Sequence, residues 1–351
     1  MKPVLAAILS VSGEALTDEE KYLLERANPL GVALFGRNLK TKTQIQALIK
    51  NIKEVIGRDD VLIALDEEGG RVNRLLGAGF GQYGSQTLLS KIGEKKILQT
   101  HAKLIAADMH AVGANLNFAP VLDLDYENTT KALKSRTFLG APETVAEYGR
   151  VLWQTYQKKG IVPCMKHLPG HGRATSDPHL GLPVIDCSLK DLQNDLLPFM
   201  LNKDCPVAMT AHILIPEVDD ELPITMSKKG VQKIIRGLID YQGFLISDAL
   251  EMKALKGSVK EKVCASLDVG VDAVCYCMGD MAGLYEVAGT KRYLTDLSLA
   301  RFENVGKILK THSVQRNVDF LKQTYYAKLN LFDEERVDYD ATEVLFQLRK
   351  G

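Results

Sequence analysis

The chain predicts a single-domain α/β fold, a (β/α)8 TIM-type barrel, from three observations. Eight short apolar or β-branched segments recur at 4–11, 31–35, 61–66, 115–119, 161–166, 206–212, 243–248 and 271–278. Longer stretches with helical spacing separate them, for example Ile45, Leu48, Ile52 and Val55. The strand segments are close to continuously apolar, as in a parallel sheet covered on both faces, and polar residues gather at their C-terminal ends, where barrels carry their chemistry. An open doubly wound sheet is the alternative.

In chain order, the first apolar run, Val4 to Leu9, is followed by Glu14, Asp18, Glu19 and Glu20 with no small-residue cleavage site, so it reads as a strand and not an export signal. Helices are expected over 17–28, 41–56, 89–111, 142–159, 188–203, 226–240 and 258–269. A single long helical pattern follows from about 282 to 310. The barrel is expected to occupy 1–312, with 313–351 a helical or strap extension packed on it. Gly79-Phe80-Gly81-Gln82-Tyr83-Gly84 fits a dinucleotide-binding fingerprint but lies well beyond the third strand, where that fingerprint must join strand directly to helix. A flexible lid or a plain loop is expected there.

Composition narrows the function. A chain of 351 residues with 46% hydrophobic and 25% charged residues can bury a sizeable core. Its 44 basic and 44 acidic residues cancel, which argues against nucleic acid or an anionic membrane as partner. No stretch approaches the roughly 18 apolar residues that span a bilayer. A soluble protein acting on a small molecule is expected. The six cysteines are expected to be free thiols in a reducing cytoplasm, with Cys275 and Cys277 on one face of a buried strand.

Residues 166–179, Lys-His-Leu-Pro-Gly-His-Gly-Arg-Ala-Thr-Ser-Asp-Pro-His, concentrate proton-handling groups in a segment that its prolines and glycines keep from being regular. Asp177 and His179 are one residue apart, so the carboxylate can fix the imidazole's tautomer and orientation. Asp248 ends the seventh strand segment, where it is either the N-cap of a helix beginning at Ala249 or a carboxylate nucleophile of the kind used in sugar transfer. Asp66, Arg71 and Arg74 surround Gly69-Gly70, small residues that allow close approach to a ligand; a carboxylate with basic donors suits a substrate rich in hydroxyls. Asn115, Asn117 and Asp123 are weaker candidates, and the lone Trp153 is expected to pack against the barrel.

In combination these motifs resemble glycoside hydrolase family 3. The residues are Lys166-His167-Leu168-Pro169-Gly170-His171-Gly172 followed by Asp177-x-His179, with Asp66-x-Glu68-Gly69-Gly70-Arg71-Val72-x-Arg74 upstream and Ser247-Asp248-x-Leu250-x-Met252 downstream. More narrowly the chain is similar to the single-domain bacterial β-N-acetylglucosaminidases of that family, over roughly residues 4 to 310. The resemblance implies Asp248 as nucleophile, His179 as general acid/base oriented by Asp177, and Asp66, Arg74, Arg136, Lys166 and His167 as the grip on a non-reducing N-acetylglucosamine. It implies β configuration retained, no metal or organic cofactor, and substrates carrying 1,6-anhydro-N-acetylmuramic acid. It places the chain in bacterial cell-wall recycling in the cytoplasm; apart from that carbohydrate substrate, no nucleic acid or membrane partner is expected, and a monomer is expected. Pro178, where a small polar residue is usual, is expected to stiffen its loop, and Leu139 to alter the packing near Arg136.

Other readings remain open on the residues alone. A metal-dependent barrel hydrolase could use His167, His171, His179, His212 and Asp248. Phosphate could replace water as the acceptor, or the barrel could bind sugar without turnover.

Overall fold

The computed structural model describes residues 2–311 and 317–332. The chain forms strands β1 (Leu5–Leu9), β2 (Pro29–Ala33), β3 (Leu62–Leu65), β4 (Glu67–Gly69), β5 (Val72–Asn73), β6 (Leu116–Asn117), β7 (Val162–Leu168), β8 (Val207–Thr210), β9 (Phe244–Ala249) and β10 (Ala273–Cys275). Eight of them pair in parallel and close into a barrel in the order β1-β2-β3-β6-β7-β8-β9-β10, with β10 returning to β1. β4 and β5 make a separate antiparallel ribbon beyond the end of β3. The predicted (β/α)8 barrel is therefore the observed fold.

Helices α1 (Asp18–Ala27), α2 (Lys42–Ile56), α3 (Gln86–Ile92), α4 (Lys95–Val112), α5 (Pro142–Lys158), α6 (Leu189–Met200), α7 (Val259–Asp268), α8 (Met281–Gly289) and α9 (Asp296–Leu309) connect the strands, with a π-type helix over Lys229–Leu238 before β9. Side-chain oxygens start most of them: Thr17 accepts from Glu20 N, Ser188 from Asp191 N and Thr295 from Ser298 N. Two expected helices are broken. The 89–111 stretch divides at Gly93, whose φ of 68° ends α3 in a left-handed cap before α4 begins. The 282–310 pattern divides because Ala6 N–H donates to Arg292 O, drawing that segment onto β1 before Thr295 restarts the helix. Among the described residues no helix is long and apolar enough to cross a membrane.

The two-residue period of the strands decides what reaches the barrel mouth. Leu62 and Ala64 of β3, Val162 and Cys164 of β7, and Phe244 and Ile246 of β9 share one buried cluster inside the barrel. Ile63, Leu65 and Val61 face the other way, into the cluster shared with the helices. One further step of the same period is Asp66, Lys166 and Asp248. The inward row thus turns from apolar to charged where the strands end.

Of the extension expected over 313–351, residues 313–316 and 333–351 lie outside the described residues. Helix α10 (Val318–Leu329) packs on α4 and buries Tyr325 completely. The Tyr325 hydroxyl accepts from Gly84 N at 3.0 Å and bonds His101 Nδ1 at 2.8 Å. The Gly79–Gly84 stretch is consequently a tied loop and not a lid: Gly81 N–H also donates to Asp108 Oδ2, at 3.3 Å. Tyr325→Phe leaves buried donors and acceptors unpaired and is expected to lower the unfolding free energy by about 1–3 kcal/mol in urea titrations. An unchanged midpoint would contradict the tie.

Candidate active site

A cleft of about 970 Å³, its solvent mouth included, opens where the inward row becomes charged. Asp66, Arg74, Arg136, Lys166, His167, His179 and Asp248 all stand on its wall. Asp177 stands behind His179.

One side of the cleft is an ion network. Lys166 Nζ lies 2.9 Å from Asp66 Oδ1 and 2.7 Å from Glu68 Oε1. The Arg136 guanidinium grips Glu68 with two parallel bonds, Nε to Oε2 and Nη2 to Oε1, both 2.8 Å, and its Nη1 donates to Ala132 O. Burial opposes charge on Glu68, but Arg136 and Lys166 more than offset it and hold its carboxyl far below the usual range. Burial likewise opposes the Lys166 ammonium, and Asp66 and Glu68 keep it above the ordinary lysine value. The charges are therefore permanent. They present fixed donors and acceptors to whatever enters.

Asp248 faces that network from β9. Its Oδ1 accepts from Ala249 N at 2.8 Å, and among the described residues Oδ2 accepts no hydrogen bond. Burial raises its carboxyl, yet the nearby His167 and His212 imidazoles, the Ala249 N–H and His179 outweigh burial and hold it below the ordinary aspartate value. The helix that would make Asp248 an N-cap is not there: residues 250–254 form turns, and α7 begins at Val259 with Ser258 as its cap. Ser247 Oγ donates to Asp248 O and accepts from Cys275 N, which fixes the backbone at the end of β9.

On the loop after β7, His179 Nδ1 lies 2.8 Å from Asp177 Oδ1, and the same oxygen accepts from His179 N at 2.9 Å. A carboxylate only accepts, so Nδ1 carries the proton and Nε2 is the nitrogen left for chemistry. Pro178 O accepts from Ala254 N at 3.0 Å, tying the loop to the segment that follows Asp248. Leu139 sits at the rim of its own turn, with its N–H on Ser90 Oγ at 2.9 Å.

The structure also shows residues that sequence left out of the site or ranked low. Glu68 was visible only as part of a motif; its pairing with Arg136 spans 68 positions. Asp123 takes His167 Nδ1–H on Oδ2 at 2.6 Å and His171 N–H on Oδ1 at 2.7 Å, so it sets the His167 ring as Asp177 sets His179. His212 spends Nδ1 on Thr225 Oγ1 and Nε2 on Ala249 O. Glu251 accepts from Cys277 N on both oxygens at 3.1 Å. Cys275 and Cys277 are buried as expected, but they also line the cleft. All six thiols are free.

Other candidates are structural. Asn115 and Asn117 bridge backbone groups of Val61, Ile63 and Glu67. Arg71, which also lines the cleft, donates to Ala132 O at 2.6 Å and ties the β4–β5 ribbon to the Arg136 segment. The close approach at Gly69 is to the Gly84 carbonyl, which a Cβ would meet at 2.2 Å, and not to a ligand. Trp153 is buried, with Nε1 on Asn202 Oδ1. Among the described residues no group of three or more His, Cys, Asp or Glu side chains is arranged to hold a metal ion.

Comparison with known proteins gives a consistent result. The family described as "Glycosyl hydrolase family 3 N terminal domain" matches residues 5–304. A "Beta-hexosaminidase" of Bordetella avium is 34% identical over 77% of this chain and 79% of its own length. Another, of Neisseria meningitidis, is 35% identical over 78% of each chain. The fold is similar to that of NagZ from Neisseria gonorrhoeae in complex with N-trifluoroacetyl-D-glucosamine, with a TM-score of 0.81, 29% identity, and 94% of this chain and 97% of that one covered.

One buried group faces away from the charge network and makes a pH prediction. Glu67 Oε1 accepts from Leu75 N at 2.6 Å, and burial, offset only in part by Leu75 N–H and Arg74, raises its carboxyl from 4.5 to about 8. Because the folded value is the higher one, the stability that Glu67 contributes is complete below pH 4.5 and is lost as pH rises through about 8. Glu67→Gln should therefore give an unfolding free energy that falls less steeply than wild type between those limits. Parallel profiles would contradict the assignment.

Proposed function

The chain belongs to glycosyl hydrolase family 3, and on that premise we propose that this glycoside hydrolase is a retaining exo-β-N-acetylglucosaminidase. The observation that carries the reading is the meeting of Asp248 and an Asp177-oriented His179 on one cleft, opposite the Asp66–Lys166–Glu68–Arg136 network. The beta-hexosaminidase names of the relatives support the sugar. The proposed natural substrates are peptidoglycan fragments in which N-acetylglucosamine precedes 1,6-anhydro-N-acetylmuramic acid, cleaved in the cytoplasm during cell-wall recycling.

Two displacements follow. In the first, the Asp248 carboxylate attacks C1, the bond from C1 to the glycosidic oxygen breaks, and that oxygen takes the proton from Nε2 of the His179 imidazolium. In the second, neutral Nε2 removes a proton from water, the water oxygen bonds to C1, and Asp248 leaves as a carboxylate. Two inversions retain the β configuration. Asp177 stabilises the ring in its charged state, before the first displacement and after the second. A histidine in this role also avoids setting a second anion beside Asp248. Asp66 and the cationic Lys166, Arg136 and Arg74 hold the sugar hydroxyls, with His167 held by Asp123.

Hydrolysis of 4-nitrophenyl β-N-acetylglucosaminide, set against the β-glucoside, tests the sugar assignment. Strong preference for the acetamido sugar is expected, with free N-acetylglucosamine as product whether or not phosphate is present; equal or reversed preference would overturn the reading. Asp248→Ala should lower kcat about 10⁴-fold or more on any substrate. His179→Ala should cost about 10²–10⁴-fold on a disaccharide, where the leaving group needs a proton, and far less on an aryl glycoside. Equal losses on both would remove His179 from the acid role.

A further inference from the structure

Asp248 lies where the sheet loses its regular pairing. On one side, the last pair between β8 and β9 is Thr210 with Ser247. On the other, Ile246 stands opposite Ala273 and Ala249 opposite Cys275, so three steps along β9 match two along β10. The extra residue makes a β-bulge, a device that re-aims a side chain and leaves backbone groups outside the ladder. Those groups need other partners, because an unpaired buried carbonyl is costly.

Side chains supply them one after another. Ser247 Oγ donates to Asp248 O at 2.7 Å, His212 Nε2 to Ala249 O at 3.1 Å and Lys262 Nζ to Leu250 O at 3.1 Å. His212 follows β8, the strand whose pairing with β9 has just ended, so its bond stands in for the next rung. Ala249 is also the residue whose N–H holds Asp248 Oδ1, at 2.8 Å. The carbonyl that His212 holds and the amide that orients the carboxylate therefore belong to one residue.

The ring is fixed for this task. A carbonyl only accepts, so Nε2 of the buried His212 carries the hydrogen. Burial lowers its value below that of an ordinary histidine, offset only in part by Asp248 and Ala249 O, so near neutral pH the ring is uncharged and Nδ1 is an acceptor. Thr225 Oγ1 lies 2.8 Å from Nδ1 and 3.0 Å from Ala211 O; its single hydrogen goes to Nδ1, which otherwise has no donor. Thr210 Oγ1, at 2.8 Å, donates to Thr225 in turn. Two hydroxyls thus set this tautomer, as carboxylates set those of His167 and His179.

We propose that His212 is a positioning residue for the nucleophile: its Nε2–H holds the Ala249 carbonyl so that the bulge keeps Asp248 Oδ2 aimed into the cleft. This rests on the glycosidase reading above and adds to it a residue that touches neither sugar nor reacting atoms. The sugar grip, Asp66 with Lys166, Arg136 and Arg74, faces Asp248 from other elements. Loosening the bulge therefore costs bond formation and not sugar binding.

The test compares wild type with His212→Asn, His212→Gln and Thr225→Val on whichever aryl β-glycoside the wild type hydrolyses. Measured quantities are kcat/KM, the inhibition constant of the corresponding free sugar and the thermal midpoint. Asn keeps an amide near Thr225 but is too short to reach Ala249 O, and is expected to lower kcat/KM about 10²-fold, the cost of a misplaced reacting group. The inhibition constant is expected to stay within about twofold of wild type. Gln, whose amide nitrogen stands where Nε2 does, is expected to restore kcat/KM to within about fivefold of wild type. Thr225→Val, nearly equal in shape, is expected to show the Asn pattern at about tenfold. A loss of this kind on an aryl glycoside also separates the role from that of His179, whose removal such a substrate largely spares.

Wild-type kcat/KM in His212→Asn, or in Thr225→Val should His212→Asn fail to fold, would overturn the proposal. So would a Gln variant no better than Asn, or an inhibition constant that rises in step with the lost kcat/KM, as a collapsed cleft would give. Asp248→Ala is measured alongside. Turnover retained there would overturn the nucleophile assignment itself, whereas turnover lost there with a normal His212→Asn would overturn the role of His212 alone.

Discussion

Lys166 carries a positive charge at 2% exposure, and the upper barrel is organised by the need to neutralise it. An ammonium that deep loses hydration worth several kcal/mol unless partners replace the water. Asp66 and Glu68 replace it, and Glu68, buried in turn, is balanced by Arg136. Two cations and two anions cancel within one cluster. They come from the ends of β3 and β7, from the β4–β5 ribbon and from the segment after β6, so neutrality itself holds four parts of the chain in register. Arg71 reinforces the same joint by tying the ribbon to the Arg136 segment through backbone oxygens.

The half of the cleft to which the chemistry is assigned obeys the opposite logic. Around Asp248 the stabilising influence comes from imidazoles and from a backbone N–H. On the proposed reading, the fixed ions hold the sugar and the His179 ring moves the proton. Two carboxylates, Asp123 and Asp177, do the same work in two places: each accepts a ring N–H and a backbone N–H, which fixes both the ring and the loop that carries it. His212 does a third kind of work, bracing the Ala249 carbonyl beside the Asp248 carboxylate.

Much of this was legible in the sequence because the barrel converts position in a strand directly into position in the cleft. Asp66, Lys166 and Asp248 follow apolar strands by the period of two, so their residue types stood out against their neighbours. Asp177 and His179 were legible because both partners lie within one short loop. Glu68 was not, since its value comes from Arg136 and Lys166, which are remote in sequence and adjacent only after closure. Asp123 ranked low for the same reason, since the ring it orients, His167, lies 44 positions away. The helical periodicity at 89–111 and 282–310 ran through real breaks because amphipathic spacing on both sides of Gly93 and of the 290–295 turn falls into phase. Tyr325 carried no local signal at all; its importance lies in a hydroxyl that meets Gly84, 241 positions earlier in the chain.

The claim on which the chemistry stands is a transient bond between Asp248 and C1 of the sugar. A 5-fluoro N-acetylglucosaminyl fluoride, which forms such a bond faster than water breaks it, allows the labelled residue to be located by proteolysis and tandem mass spectrometry. The added sugar mass is predicted on the peptide containing Asp248, at that carboxylate. Sugar attached to any other side chain, or turnover of the probe with no labelled protein at any time, would contradict it.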